Sequence, residues 1–153
     1  MLFVNKFKVF VITFLMLLGL SSTLKAQDSD IVNDILRDVN QYRQQHGLKK
    51  LTLKSAISSQ AEKHSLEMAK HQVPFGHTGF MARVKAIYRH TDKPQGAAEN
   101  VAYNYKDGHI VVKNWLKSPH HLANIRGHYN YTGIGIARDK NGKLYFTQIF
   151  LRG

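Results

Sequence analysis

Ile134-Gly135-Ile136 and Leu144-Tyr145-Phe146-Thr147-Gln148-Ile149-Phe150, joined through Asp139-Lys140-Asn141-Gly142, decide how this chain folds. Isoleucines alternating with glycines, an Asn-Gly turn, and a returning run rich in β-branched and aromatic residues predict an antiparallel hairpin. Working back toward the N-terminus, Glu99 to Tyr103 reads as one more strand, and the remaining patterned segments are helical. Ser29 or Asp30 is placed to cap a helix that carries Ile31, Ile35, Val39 and Tyr42 at near-helical spacing and stops at Gly47. Leu51 and Leu53 lead into a second helix, Lys54 to His71, with Ile57, Ala61, His64 and Met68 on one stripe, broken by Pro74 and Gly76. Phe80 to Tyr88 is a short third helix, and residues 91–96 are an irregular loop. Asp107 or Gly108 starts a fourth helix bearing Ile110, Val111 and Trp115; Ser118-Pro119 restarts it and puts His120 and His121 in a helical first turn. Helices first and antiparallel strands last predict an α+β domain, a sheet covered by helices.

The N-terminus has a different character. Lys6 and Lys8 precede an apolar run from Val9 to Leu20, then Ser21, Ser22, Thr23 and Ala26, which is the layout of an export signal cleaved after Ala26. The run is shorter than the roughly 20 residues a bilayer span needs, so no stable membrane span is expected after cleavage. Residues 27–153 then form one domain, large enough to bury its own core without crosslinks. There is no cysteine, so neither a disulfide nor a lipid-modified cysteine is possible. The formal charge of +12 falls to +9 once Lys6, Lys8 and Lys25 are removed with the signal. Because the remaining Lys and Arg are scattered, the charge speaks for solubility or loose adhesion to anionic envelope polymers. Export and the lack of an aromatic-interleaved basic motif argue against nucleic acid.

Two imidazoles and a carboxylate stand beside turn or cap residues: His77 in Gly76-His77-Thr78, Glu99 in Ala98-Glu99-Asn100-Val101-Ala102, and His121 in Ser118-Pro119-His120-His121. Such positions are where side chains converge on a cleft, and these residue types suit a small metal or acid/base site. Hydrogen-bonded structural histidines and a capping carboxylate would give the same sequence. A second constellation, His64, Glu67 and His71, falls on one face of the second helix, where a core histidine beside an exposed pair is the plainer reading. His46, His90, His109 and His128 show no partner pattern. Neither a His-Glu-x-x-His helix nor a Gly-x-Ser-x-Gly elbow is present. Trp115, Tyr103, Tyr105, Tyr145, Phe146 and Phe150 could line a groove for an apolar ligand, but at strand and helix spacing they also read as core.

The order and spacing of these segments from about Ile31 to Phe150 resemble the secreted CAP superfamily: cysteine-rich secretory proteins, antigen 5 proteins, pathogenesis-related proteins and their bacterial SCP-like, cysteine-free relatives. The resemblance implies a three-layer α-β-α sandwich around a central antiparallel sheet, and a cleft whose histidine pair can hold zinc. On that resemblance His77 and His121 are the metal residues, and they and Glu99, the acid, are the residues that would act catalytically if the protein were an enzyme. Asn124 and Ile125 keep the frame of the bacterial Ser-Pro-Gly-His-Arg-x-Asn-Ile pattern. His120 stands where that pattern has Gly, Leu122 replaces its Arg, and Ser118 occupies the position of a second acid found three residues after Trp in eukaryotic members. The expected protein is thus a secreted or periplasmic binding module with a weak, exchangeable Zn²⁺ site and an apolar, peptide or envelope ligand. A metal-assisted hydrolase acting on peptide or envelope substrate, and a basic-surface adhesin, are the alternatives.

Overall fold

The structure is a computed structural model that describes residues 4–88 and 95–153. Its elements run α1 (Val4–Gln45), β1 (Thr52–Leu53), α2 (Ser55–Ala69), α3 (Phe80–Ile87), β2 (Gly96–Tyr103), α4 (Gly108–Trp115), α5 (Pro119–Arg126), β3 (Tyr131–Arg138) and β4 (Leu144–Arg152). The chain divides into two compact units, residues 1–31 and 32–153. In the full chain α1 passes through Ser29 and Asp30, with no proline in residues 4–45 to interrupt it; the start expected there is that of a chain beginning at Gln27. Among the described residues, no helix is long and apolar enough to cross a membrane. Most of the expected irregular loop, residues 91–94, lies outside the described residues, as does His90.

In the second unit the sheet has the order β1-β3-β4-β2. The hairpin is as expected, with Ile134 opposite Gln148 and Ile136 opposite Phe146. Its turn is built by Asp139, whose carboxylate accepts from the amides of Asn141 and Lys143, and by Gly142 at φ 78°. The two-residue β1 adds to β3 in parallel, which the reading of Leu51 and Leu53 as a lead-in did not foresee. β2 begins at Gly96 rather than Glu99 and pairs along its whole length with β4, so it closes one side of the sheet.

Glycines explain how the first helical layer lies down. A Cβ on Gly133 would stand 2.2 Å from the Ser58 backbone, and one on Gly135 2.0 Å from that of Glu62, so α2 rests its backbone directly on β3. Ile57 and Ala61 pack there against Ile149 and Leu151, and Met68 and Ala69 against Val101 and Tyr145. On the other face, Asn100 Nδ2 donates to the carbonyl of His121 and to α5 is added the last part of α1. Arg43, buried, ties them by donating to the carbonyls of Lys49, Ile125, Gly127 and Tyr129. Three of these lie at and beyond the C-terminal end of α5, where a helix offers unpaired carbonyls to a cation. The result is the expected three layers.

Thr147 and Gln148 are fully buried. Because β4 is an interior strand, covered on both faces, neither residue meets water. Thr147 Oγ1 accepts from Ser65, and Gln148 Nε2 donates to Thr132 Oγ1.

Candidate functional site

Register decides which layer each site residue faces. Glu99 sits opposite Ile149, which sits opposite Gly133, so the Glu99 side chain points into the α2 layer, while its neighbour Asn100 points to α5. Because β2 is the last strand of the sheet, a loop from one layer and a helix from the other can meet beyond its edge. They do: Gly76 and His77, before α3, and Trp115, Ser118 and His121, from α4 and α5, line one open cavity of about 410 Å³. Val101, Tyr103 and Tyr105 supply its strand side.

His77 is half exposed. Its Nδ1 lies 2.9 Å from Glu99 Oε1. A carboxylate only accepts, so Nδ1 carries a proton, and in the neutral ring Nε2 is left for other partners. Glu99 itself is 1% exposed at its side chain and is held by Arg83, whose Nε donates to Oε2 at 3.0 Å and whose Nη2 donates to Oε1 at 2.8 Å. Asn124 Nδ2 caps the Glu99 backbone carbonyl at 3.1 Å and also donates to Asn100 Oδ1. The Glu99 carboxylate thus takes two donors on Oε1 and one on Oε2, and Glu99 is not among the cavity-lining residues.

His121, not the exposed His120, lines the cavity, 6.3 Å from the Trp115 ring centre to centre. Burial first, then the His77 and His120 imidazoles, hold the His121 ring below its ordinary pKa of 6.5. A neutral imidazole is the form that ligates a metal. Pro119 at the first helical position starts α5, although Ser118 makes no side-chain cap and lines the cavity instead. Of the six aromatics, Trp115, Tyr103 and Tyr105 line the cavity; Tyr145, Phe146 and Phe150 are core.

The donor set suits a metal in one respect and limits it in another. A histidine whose Nδ1–H is bound by a carboxylate is the arrangement that orients an imidazole toward a metal. Among the described residues, however, no three His, Asp or Glu side chains converge to hold an ion, so His77 and His121 would leave the remaining positions to water or ligand.

The rival face on α2 does not assemble. The helix ends at Ala69, and His71 stands beyond it with φ 54°. Glu67 is 3.8 Å from Lys63 Nζ. His64 alone is fully buried and turns toward Gly76. His109, for which the sequence offered no partner, has three: Asp38 at 2.6 Å, Asp34 at 3.5 Å and Arg37 at 3.1 Å. Those partners lie more than 70 residues away on α1, beyond the reach of a local pattern. Arg83, the grip on Glu99, was missed as well. Its signal was an arginine on the stripe formed by Phe80, Val84 and Ile87, where a buried cation must have a partner.

Comparisons with known proteins agree with the fold. A model of the cysteine-rich secretory protein (CAP) family matches residues 36–150. An uncharacterized membrane protein of Bacillus subtilis, YlbC, is 34% identical over 122 residues, which is 77% of this chain and 33% of the relative, so the chain spans about a third of that protein. A crystal structure of a cysteine-rich secretory protein from Staphylococcus aureus superposes with a TM-score of 0.68 at 23% identity, covering 83% of this chain and 40% of that one. A Bacillus anthracis extracellular protein containing an SCP domain gives 0.67 at 24% identity, covering 82% and 41%.

Proposed function

The chain belongs to the cysteine-rich secretory protein (CAP) family, and on that premise we propose that it is an extracytoplasmic binding module whose cleft holds a divalent metal such as zinc, weakly and exchangeably, between His77 and His121. The observation that carries this reading is one open cavity lined by both imidazoles, with Nδ1 of His77 tied to a buried carboxylate. When bound, the metal would supply a Lewis-acidic anchor for a ligand's oxygen or nitrogen donor. His77 and His121 would hold it, Glu99 would orient His77, and Phe75, Tyr103 and Tyr105 would offer apolar surface to the rest of the ligand, of apolar, peptide or envelope origin.

The geometry favours binding over hydrolysis. A general base needs a free lone pair within reach of the proton it takes. The Glu99 carboxylate is 1% exposed and does not line the cavity, so it lies out of reach of a bound ligand's proton, and Arg83 and His77 already take three of its lone pairs. Residues 1–26 act in this proposal as an export signal, and N-terminal sequencing of the exported protein should begin at Gln27. The metal reading is tested by calorimetric zinc titration: one site is expected in the unaltered protein and none in His77→Ala or His121→Ala. Unchanged binding in both variants rejects it.

A further inference from the structure

The loop that carries His77 is gripped on both sides. Thr78, just after it, gives its carbonyl to Arg83 Nη1 at 2.7 Å. Gly76, just before it, gives its carbonyl to His64 Nε2 at 2.8 Å. His64 comes from α2, the helix seated on β3, and its side chain is fully buried. A carbonyl only accepts, so the proton of the neutral ring is on Nε2 and Nδ1 is bare. That buried Nδ1 has no hydrogen-bond partner among the described residues, with the Glu67 carboxylate 3.9 Å off. An apolar residue would fill this place on the stripe of Ile57, Ala61 and Met68 without stranding a polar atom. The cost of the bare nitrogen is matched by one identifiable benefit, the bond to Gly76. The same Nε2 is 4.0 Å from Glu99 Oε1, the atom that holds His77, so the ring abuts both supports of the site.

We propose that His64 is a positioning residue of the cleft: through the Gly76 carbonyl it fixes the loop so that His77 keeps Nδ1 on Glu99 and turns Nε2 to the cavity. It touches no ligand. The proposal deepens the metal-binding reading and rests on it only for one of the two readouts below.

The test compares His64→Leu, which removes the donor, with His64→Gln, whose side-chain amide supplies a donor of comparable reach. Imidazole ¹⁵N spectra report the tautomer of His77, and zinc alone serves as the binding probe. In His64→Leu the Nδ1–H signal of His77 gives way to a mixture of tautomers, and zinc affinity falls about tenfold or more, as for other residues that orient a metal ligand. His64→Gln restores both. A leucine variant that keeps the His77 tautomer overturns the proposal, as does a glutamine variant no better than leucine. In the unaltered protein, a His64 Nε2–H that exchanges freely with water and shows no coupling to the Gly76 carbonyl overturns it too, so the proposal is decided even if His64→Leu fails to fold. Should zinc bind nowhere, the metal reading fails, and the tautomer readout still decides the role of His64.

Discussion

Two clusters in this molecule join a histidine, acidic groups and an arginine, and they differ in what lies under the histidine. At the cleft, His77 leans on Glu99 and Arg83, which are 1% and 7% exposed at the side chain. On the outer surface, His109 leans on Asp38, Asp34 and Arg37, at 22%, 26% and 58%. The hydrogen bond is shorter in the second, 2.6 Å against 2.9 Å. Short contact is therefore a poor guide to a site. What distinguishes the cleft is that the charges supporting His77 are locked out of water, while water and salt compete for every member of the surface cluster.

The largest effect that would break this contrast is on stability. Arg83→Met strands the Glu99 carboxylate in the interior, and urea unfolding should show a loss of about 3–5 kcal/mol. Arg37→Ala removes an exposed partner from the surface cluster and should cost less than about 1 kcal/mol. Equal losses would erase the distinction.

Next is the pH dependence. Burial holds His64 below its ordinary value of 6.5, and His121 moves the same way. The unfolded chain then binds more protons than the fold does between the two values. These residues contribute stability that is complete above about pH 6.5 and lost as pH falls through their folded values. His109 moves the other way, raised chiefly by its hydrogen bond to Asp38, so its contribution is complete below pH 6.5 and lost as pH rises through its folded value. Unfolding free energy measured from pH 7 to pH 5 should fall, less steeply in His64→Leu and more steeply in His109→Asn. Parallel curves for all three proteins would contradict the assignment.

The smallest effect is the response to salt. Raising NaCl from 0.05 to about 1 M shortens the screening length to roughly 3 Å. It should abolish the stability difference between Arg37→Ala and the unaltered protein while leaving that of Arg83→Met in place, as read by unfolding midpoints. A salt-sensitive Arg83→Met difference would mean that Glu99 is wetter than its burial implies.

The legible parts of the chain were those whose cause is local. The Asn-Gly turn and the alternating glycines announce the β3–β4 hairpin, and Asp107 caps α4 with its own carboxylate, accepting from Ile110 N at 2.9 Å. His77, Glu99 and His121 stood out because turn and cap residues flank them, and the loop before α3 and helix α5 bring the first and last to one cavity. Arg43, Arg83 and the partners of His109 were not legible, because their bonds join separate elements and depend on which of them the fold packs together. His64 illustrates the boundary. Its place on an apolar stripe predicted burial, but nothing in the sequence said that its Nε2 would find Gly76.

The central claim is that His77 and His121 make one metal-holding cleft and the surface cluster does not, although the surface cluster has more carboxylates. Anomalous diffraction at the zinc edge from zinc-soaked crystals tests it directly. The account predicts a single peak within bonding distance of His77 Nε2 and the His121 ring. A peak among Asp34, Asp38 and His109, with none in the cleft, would contradict it.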